Sequence, residues 1–246
     1  SLEKFIRHKL YCLNHEVNKN YEDFNFYKAY QTILSFCSKE LSSLFFDIRK
    51  DALYCNAPNS ILSRSTKTVM IDVFECLIRW LSPIIPFTTE EAWQNWLDFN
   101  NKNKEKSCHL LKTLLISEEW KDHELEKKWC KILEIKNAFS FTVEKKRSLR
   151  EIKSSLEVRA DIFFKDSEYK KIAESFDLSE ILISSKIKIS DSYDENFIFN
   201  SDEKDIGIKI IKYESQKCPR CWKLFEKVND QNDLCERCNS VINAKS

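Results

Sequence analysis

The residues of this 246-residue chain best able to do chemistry are two Cys-x-x-Cys pairs, Cys218-Pro219-Arg220-Cys221 and Cys235-Glu236-Arg237-Cys238, thirteen residues apart (222–234). Two such knuckles can present Cys218, Cys221, Cys235 and Cys238 to one tetrahedral Zn²⁺. Redox pairs usually occur singly, so the doubled spacing favours zinc, with an iron–sulfur cluster as the alternative. Four protein ligands leave no open coordination position, so one structural zinc is expected and no catalysis at the metal. The quartet lies in the last 29 residues, too few for a core of their own. Metal binding would supply their folding free energy, on the order of 10 kcal/mol, and chelation is expected to unfold only this tail. From residue 218 on there are five Lys/Arg and four Asp/Glu, so with a Zn(Cys)₄ centre the tail is near −1 and is no electrostatic anchor. Any nucleic-acid contact there would rest on placed groups: Arg220, Trp222, Lys223 and Arg237. The Trp222 ring either covers the metal site or stacks on an unpaired base, which contributes roughly 1–3 kcal/mol.

The other chemistry-bearing residues are dispersed. Cys12, Cys37, Cys55, Cys76, Cys108 and Cys130 are scattered singly and read as small core hydrophobes. His8, His15, His109 and His123 have no convincing nucleophile or acid partner nearby in sequence and read as surface or core residues. The chain has one glycine, Gly207, where average usage of about 7% would give roughly 17. Phosphate-cradling loops of the Walker A or dinucleotide kind need two or three glycines, so neither exists here. Net charge is +1, which excludes a strongly basic nucleic-acid binder but not a local patch. Residues 121–153 hold ten basic and six acidic groups, a net +4, and residues 154–217 hold ten and fourteen, a net −4. The positive stretch ends in Lys145, Lys146, Arg147, Arg150 and Lys153: either a solvated helix end or a phosphate-contacting patch. Arg7, His8 and Lys9 interrupt any leader pattern, and no run of about 18 apolar residues exists, so a cytoplasmic, reduced protein with no membrane span is expected.

Scarce Gly and four Pro favour long helices. Ile6, Leu10, Leu13 and Val17 predict a helix over residues 1–18. A stripe of Tyr27, Tyr30, Leu34, Cys37, Leu41, Leu44, Phe45 and Ile48 predicts one over about 25–53. A third spans about 60–82 with Met70, Val73, Leu77, Trp80 and Leu81 on one face. Thr88 and Glu91 read as a capping box opening a short helix through Trp93 and Trp96. These fit an antiparallel bundle over residues 1–98. The polar run 98–108 marks a boundary or exposed loop. A helix over about 119–148 follows, with Ile132, Ile135, Phe139 and Val143 inward. Then Glu157–Phe164 alternates like a half-buried strand. Residues 181–189 and 206–211 read as β, with a short helix over 167–176. The expected fold is mostly α: the bundle, a connecting helix and small α+β junction unit over 99–214, and a zinc module over 215–246.

On these residues the chain resembles the C-terminal part of the bacterial isoleucyl-tRNA synthetases, class Ia aminoacyl-tRNA synthetases. Phe36-Cys37-Ser38-Lys39-Glu40-Leu41, Asp47-Ile48-Arg49-Lys50-Asp51, Arg64-Ser65 and Ile78-Arg79-Trp80-Leu81-Ser82-Pro83-Ile84 through Phe87-Thr88 resemble the anticodon-binding bundle shared by the Ile, Val, Leu and Met enzymes. Cys218-Pro219-Arg220-Cys221-Trp222 with Cys235-x-Arg237-Cys238 resembles the zinc module of the isoleucine enzyme. Ser154-Ser155-Leu156-Glu157 is similar to a junction motif of that family. The family usually has Gly after Ile and Ala after Glu there, where this chain departs with Lys153 and Val158, so no glycine-dependent turn is expected at Lys153. The family's His-Ile-Gly-His and Lys-Met-Ser-Lys-Ser motifs are absent from these residues: the only Gly is Gly207 and the only Met is Met70. The chain therefore reads as an excised fragment, with Ser1 a scar of excision.

The resemblance implies binding of the anticodon stem-loop of isoleucine tRNA, by a fragment without catalytic residues, in a parent that is a cytoplasmic, monomeric, ATP-dependent isoleucine–tRNA ligase. ATP would be used only in a catalytic domain outside these residues. No membrane and no DNA partner is implied. Phosphates need spaced cations and unstacked bases need flat faces. The candidates are Arg64, Lys67 and Arg79 in the bundle, Lys145, Lys146, Arg147 and Arg150 in the junction, and Arg220, Trp222, Lys223 and Arg237 in the tail. Two rivals stay open: a zinc-dependent interaction module that does not bind RNA, and a DNA-repair glycosylase-like zinc finger protein. The latter uses an N-terminal Pro, where this chain begins Ser1-Leu2-Glu3.

Overall fold

The computed structural model describes residues 1–100 and 105–244. They fold as two compact units: residues 1–49 with 59–123, and residues 50–58 with 124–246. The centre of the polar run expected to mark a boundary, residues 101–104, lies outside the described residues.

The first unit is helical. Helix α1 (Leu2–Glu22) is capped by the Ser1 hydroxyl. Helix α2 (Phe26–Phe36) continues through a π-helical segment (Cys37–Phe46) into α3 (Asp47–Cys55). The Ser60 side chain caps α4 (Ile61–Leu81), and α5 spans Pro86–Asn100. Phe5, Ile6, Leu10 and Val17 of α1, Ala29, Ile33 and Phe36 of α2, and Val69, Val73, Cys76 and Trp80 of α4 are buried. The Trp80 indole N–H donates to Asn14 Oδ1 at 3.0 Å, and Asn14 Nδ2 donates to the Leu114 carbonyl at 3.0 Å.

Three expectations need correction here. Tyr27, Tyr30 and Leu34 are exposed, not inward. α-Helical steps counted back from Leu41 lead to that face, but the wider i→i+5 turns of the π segment insert a residue, and the buried side is Ala29, Ile33 and Phe36. Met70 is likewise exposed, and its neighbour Val69 is buried. Helix α5 begins at Pro86, a preferred first helical position, so Thr88 lies in the first turn and is not the cap.

Residues 105–123 belong to the first unit because they are laced onto it. Glu90 accepts from Ser107 Oγ at 2.8 Å and from the Cys108 N–H at 3.0 Å. The Trp93 indole N–H donates to the Glu105 carbonyl at 2.9 Å. Ile78, Trp93 and Cys108 form a buried cluster with Phe74, Trp96 and Leu111 against it.

In the second unit, α6 (His123–Ser148) buries Trp129, Ile132, Ile135, Phe139 and Val143. Strand β1 (Val158–Phe164) alternates buried and half-buried, as its sequence does. Helices α7 (Ser167–Glu174) and α8 (Leu178–Ile181) carry the chain to β2 (Lys186–Ser190), parallel to β1. The β-branched run from Ile181 thus starts as helix and turn, with Ile183 at φ 52°, and becomes strand only at Lys186. Strands β3 (Ile198–Phe199) and β4 (Ile206–Lys212) complete a sheet of order β2-β1-β4-β3. Gly207 sits where Phe199 covers the backbone: a Cβ there would lie 2.8 Å from the Phe199 ring. A two-stranded ribbon, β5 (Gln216–Lys217) with β6 (Leu224–Phe225), and helix α9 (Glu236–Asn243) form the tail. No helix among the described residues is long and apolar enough to cross a membrane.

Candidate metal centre and RNA-facing residues

The ribbon and α9 bring the four cysteines together. Their sulfurs lie within 4.8 Å of one another, and Cys221 and Cys235 are 3.8 Å apart, sulfur to sulfur. All four residues are buried. The first knuckle forms at the turn between β5 and β6: the Cys218 N–H donates to the Lys223 carbonyl at 3.0 Å and the Trp222 N–H to the Cys218 carbonyl at 2.9 Å. Trp222 holds φ 65°, a left-handed conformation for a bulky side chain. The second knuckle is the entry to α9, with Cys235 at its N-cap.

Burial opposes ionisation of Cys218, but the N–H groups of Cys221, Cys235 and Arg220 aimed at its sulfur bring the thiol down to about 6. Burial pushes Cys221 up to about 11. A buried thiol cluster in which one ionised sulfur raises its neighbours fits a divalent cation that takes all four as thiolates. The donor set and its closure suit Zn²⁺ held by Cys218, Cys221, Cys235 and Cys238 in a structural role, the metal linking the ribbon to α9.

The junction supports this module from one side. Ser185 Oγ donates to the Leu156 carbonyl at 2.5 Å and accepts the Leu224 N–H at 2.8 Å. Lys186 pairs with Glu226 at 2.7 Å. Leu156 belongs to the Ser-Leu-Glu motif, a short 3₁₀ turn (Ser155–Glu157) capped by Ser154. The left-handed residue of this region is Arg150, at φ 59°, and not Lys153. The Lys153 N–H instead donates to Glu157 Oε2 at 3.1 Å. An ordinary side chain at 153 therefore meets no backbone strain.

The cationic candidates fall into two groups. Arg64, Lys67, Lys145 and Arg150 are exposed, and the Trp222 ring is 62% exposed with its indole N–H on the Pro219 carbonyl and Lys217 over one face. Lys223 is half-buried. Lys146 pairs with Glu151 and Arg147 with Glu144, each at 2.7 Å on the surface. The rest are turned inward. Arg79 pairs with Glu75 at 2.6 Å and donates to the Lys112 carbonyl at 3.0 Å. Arg220 and Arg237 are engaged with residues 50–58, described below. Of the single cysteines, Cys55, Cys76 and Cys108 are buried, Cys12 and Cys37 are half-buried, and Cys130 is exposed, against the expectation of a core residue. Sequence reading missed that Cys55 packs against the quartet, together with Leu234. A lone Cys at the end of a helix gives no signal of that.

Residues 215–241 match a family model described as a zinc finger found in FPG and IleRS. The chain is 39% identical over 224 residues to an isoleucine–tRNA ligase of Pelagibacter ubique, covering 91% of this chain and 23% of that protein. It is 34% identical over 249 residues to the isoleucine–tRNA ligase of Caldicellulosiruptor saccharolyticus, covering 99% of this chain and 26% of that protein. The Bartonella quintana enzyme is 34% identical over 228 residues. The chain thus spans about a quarter of the length of these curated relatives. Residues 3–162, more than half of the chain, match the model of the anticodon-binding domain of tRNA ligase, and the chain belongs to that family.

Proposed function

We propose that this chain binds the anticodon stem-loop of isoleucine tRNA and positions that tRNA for a catalytic domain elsewhere in an isoleucine–tRNA ligase. The observation that carries the reading is the order of parts in one chain: an anticodon-binding region over 3–162, then the IleRS-type zinc finger over 215–241 with its four sulfurs gathered. The first part fits tRNA ligases at large and the second narrows the amino acid. Neither rival from the sequence accounts for both.

In this reading the work divides among residues 1–98, 99–214 and 215–246. Arg64 and Lys67 in the first, and Lys145 and Arg150 in the second, take phosphates. Lys146 and Arg147 join them at small cost, since exposed ion pairs contribute only about 0–1 kcal/mol. Trp222, raised on its left-handed backbone with an open ring face, stacks on an unpaired loop base, and Lys223 beside it supplies charge. Zinc is structural. ATP and the chemistry of adenylate formation belong to the parent's catalytic domain, and no residue here is assigned a part in them. The parent is a cytoplasmic monomer.

Filter binding of isoleucine tRNA against bulk tRNA, at fixed salt, tests this. Isoleucine tRNA should be retained at lower protein concentration by at least about tenfold, or ~1.4 kcal/mol. Equal retention of both pools would contradict the reading. Replacing Lys146 or Arg147 should weaken all tRNAs and lower the salt slope, while Trp222→Ala should weaken isoleucine tRNA selectively.

A further inference from the structure

Each Cys-x-x-Cys knuckle carries one arginine immediately before its second cysteine, and both guanidiniums reach the same place. Arg220 Nη1 donates to the Cys55 carbonyl and Nη2 to the Tyr54 carbonyl, each at 3.1 Å. These are carbonyls of the last turn of α3, which have no partner within the helix. Arg237 forks onto the Asp51 carboxylate, with Nη2 to Oδ1 at 2.8 Å and Nη1 to Oδ2, and Nη1 also donates to Asn56 Oδ1 at 3.2 Å. Asp51 lies one turn before Cys55, on the same face of the helix. The contact is reciprocal: the Cys55 thiol points to the Arg220 carbonyl at 3.6 Å and its side chain packs against the four cysteines and Leu234.

From this geometry we infer that Arg220 and Arg237 form a clamp that seats the metal module on the C-terminal turns of α3, so that filling the metal site and ordering residues 50–58 are one event. Two planar forks, spaced by the two knuckles, meet one helix end. Only a metal-fixed backbone holds them at that spacing, because 29 residues without a core cannot. Their positive charges also face the negative end of the helix and a carboxylate, where cations are favoured. The bidentate pairing needs a guanidinium, not merely a positive charge. Arg220 and Arg237 are therefore positioning residues, which hold Trp222 and Lys223 in place, and are not RNA contacts themselves.

The test is amide hydrogen exchange on the full, zinc-loaded chain, with zinc content measured alongside, for wild type, Arg237→Gln and Asp51→Asn. The clamp predicts one zinc retained in both variants and exchange across residues 50–58 at least about tenfold faster. Chelation of the wild-type chain should accelerate the same segment. Unchanged exchange at 50–58 in both variants, or chelation that opens 218–243 and leaves 50–58 protected, would overturn it. If Arg237→Gln loses its metal, Asp51→Asn, which leaves both knuckles intact, decides alone. A second arm rests on the RNA reading above. The two substitutions change net charge in opposite directions, yet a clamp predicts that both weaken isoleucine-tRNA binding. Weakening by Arg237→Gln with none by Asp51→Asn would make Arg237 a phosphate contact and sink the clamp. The exchange arm needs no RNA, so failure of the clamp and failure of the RNA reading are separately visible.

Discussion

At the scale of single residues, the buried ion pair of Glu3 and Arg49 shows how a charge is kept inside a helical core. Arg49 Nε donates to Glu3 Oε1 at 2.5 Å, and both residues are under 9% exposed. Burial alone would raise the Glu3 carboxyl, but the Arg49 hydrogen bond and charge hold it below its usual value. A carboxyl depressed in the folded state contributes stability that is present above its unfolded pKa, about 4.5, and lost as pH falls through the folded value. Unfolding free energy, followed by denaturant melts from pH 6 to pH 3, should therefore fall more steeply in wild type than in Glu3→Gln. At pH 6 the variant should be less stable by about 2 kcal/mol, because the buried, charge-assisted hydrogen bond from Arg49 to the Glu3 carboxylate is lost. An acid slope identical in both proteins would contradict this. Such a pair is not legible in sequence: Glu3 and Arg49 are 46 positions apart, and Glu and Arg are normally surface residues. The gathering of the four cysteines was legible, because their paired spacing brings them together. The arginines between them were visible as residues, but their partners in 50–58 were not.

At the scale of elements, what periodicity could and could not reveal divides at the π segment. Helix spans came out of the apolar spacing nearly as they stand, and β1 declared itself by alternation. The inward face of α2 did not, because a π-helical turn changes the phase without changing the residue types. The same limit hid the lacing of 105–123, which rests on single side chains, Asn14, Arg79, Glu90, Trp93 and Gln94 among them. Hydrogen bonds from Gln94 and Ser107 bring the Glu90 carboxyl down to about 2, an acceptor that stays charged across the working range. The Trp93 ring is fully buried in the cluster with Ile78 and Cys108. Truncation of a buried Trp costs about 3–5 kcal/mol. Trp93→Ala should lower the unfolding free energy of the first unit by that amount and expose 105–111 to proteolysis. Retained protease resistance at 105–111 would show that the segment is held by other contacts.

At the scale of the whole molecule, sequence reasoning reached the fold class, the four-cysteine cluster and the family, because each depends on local pattern. It placed a boundary near residue 98, where the polar run breaks the helical pattern. The compact units divide near 123, with residues 50–58 in the second, since compactness depends on long-range contacts that composition does not encode. The expectation that chelation unfolds only the tail widens accordingly: residues 218–243 and 50–58 should lose exchange protection together, while β1 and β4 keep theirs. Simultaneous loss across the four-stranded sheet would mean that the metal supports the entire second unit. Under the proposed function, this chain discriminates one anticodon from others. Fluorescence anisotropy of the zinc-loaded chain, titrated against a labelled isoleucine anticodon stem-loop and against the same hairpin with its anticodon replaced, tests that claim directly. The replaced hairpin should bind at least about tenfold more weakly, ~1.4 kcal/mol, with the difference abolished by chelation. Equal affinity for the two hairpins, with zinc bound, would contradict it.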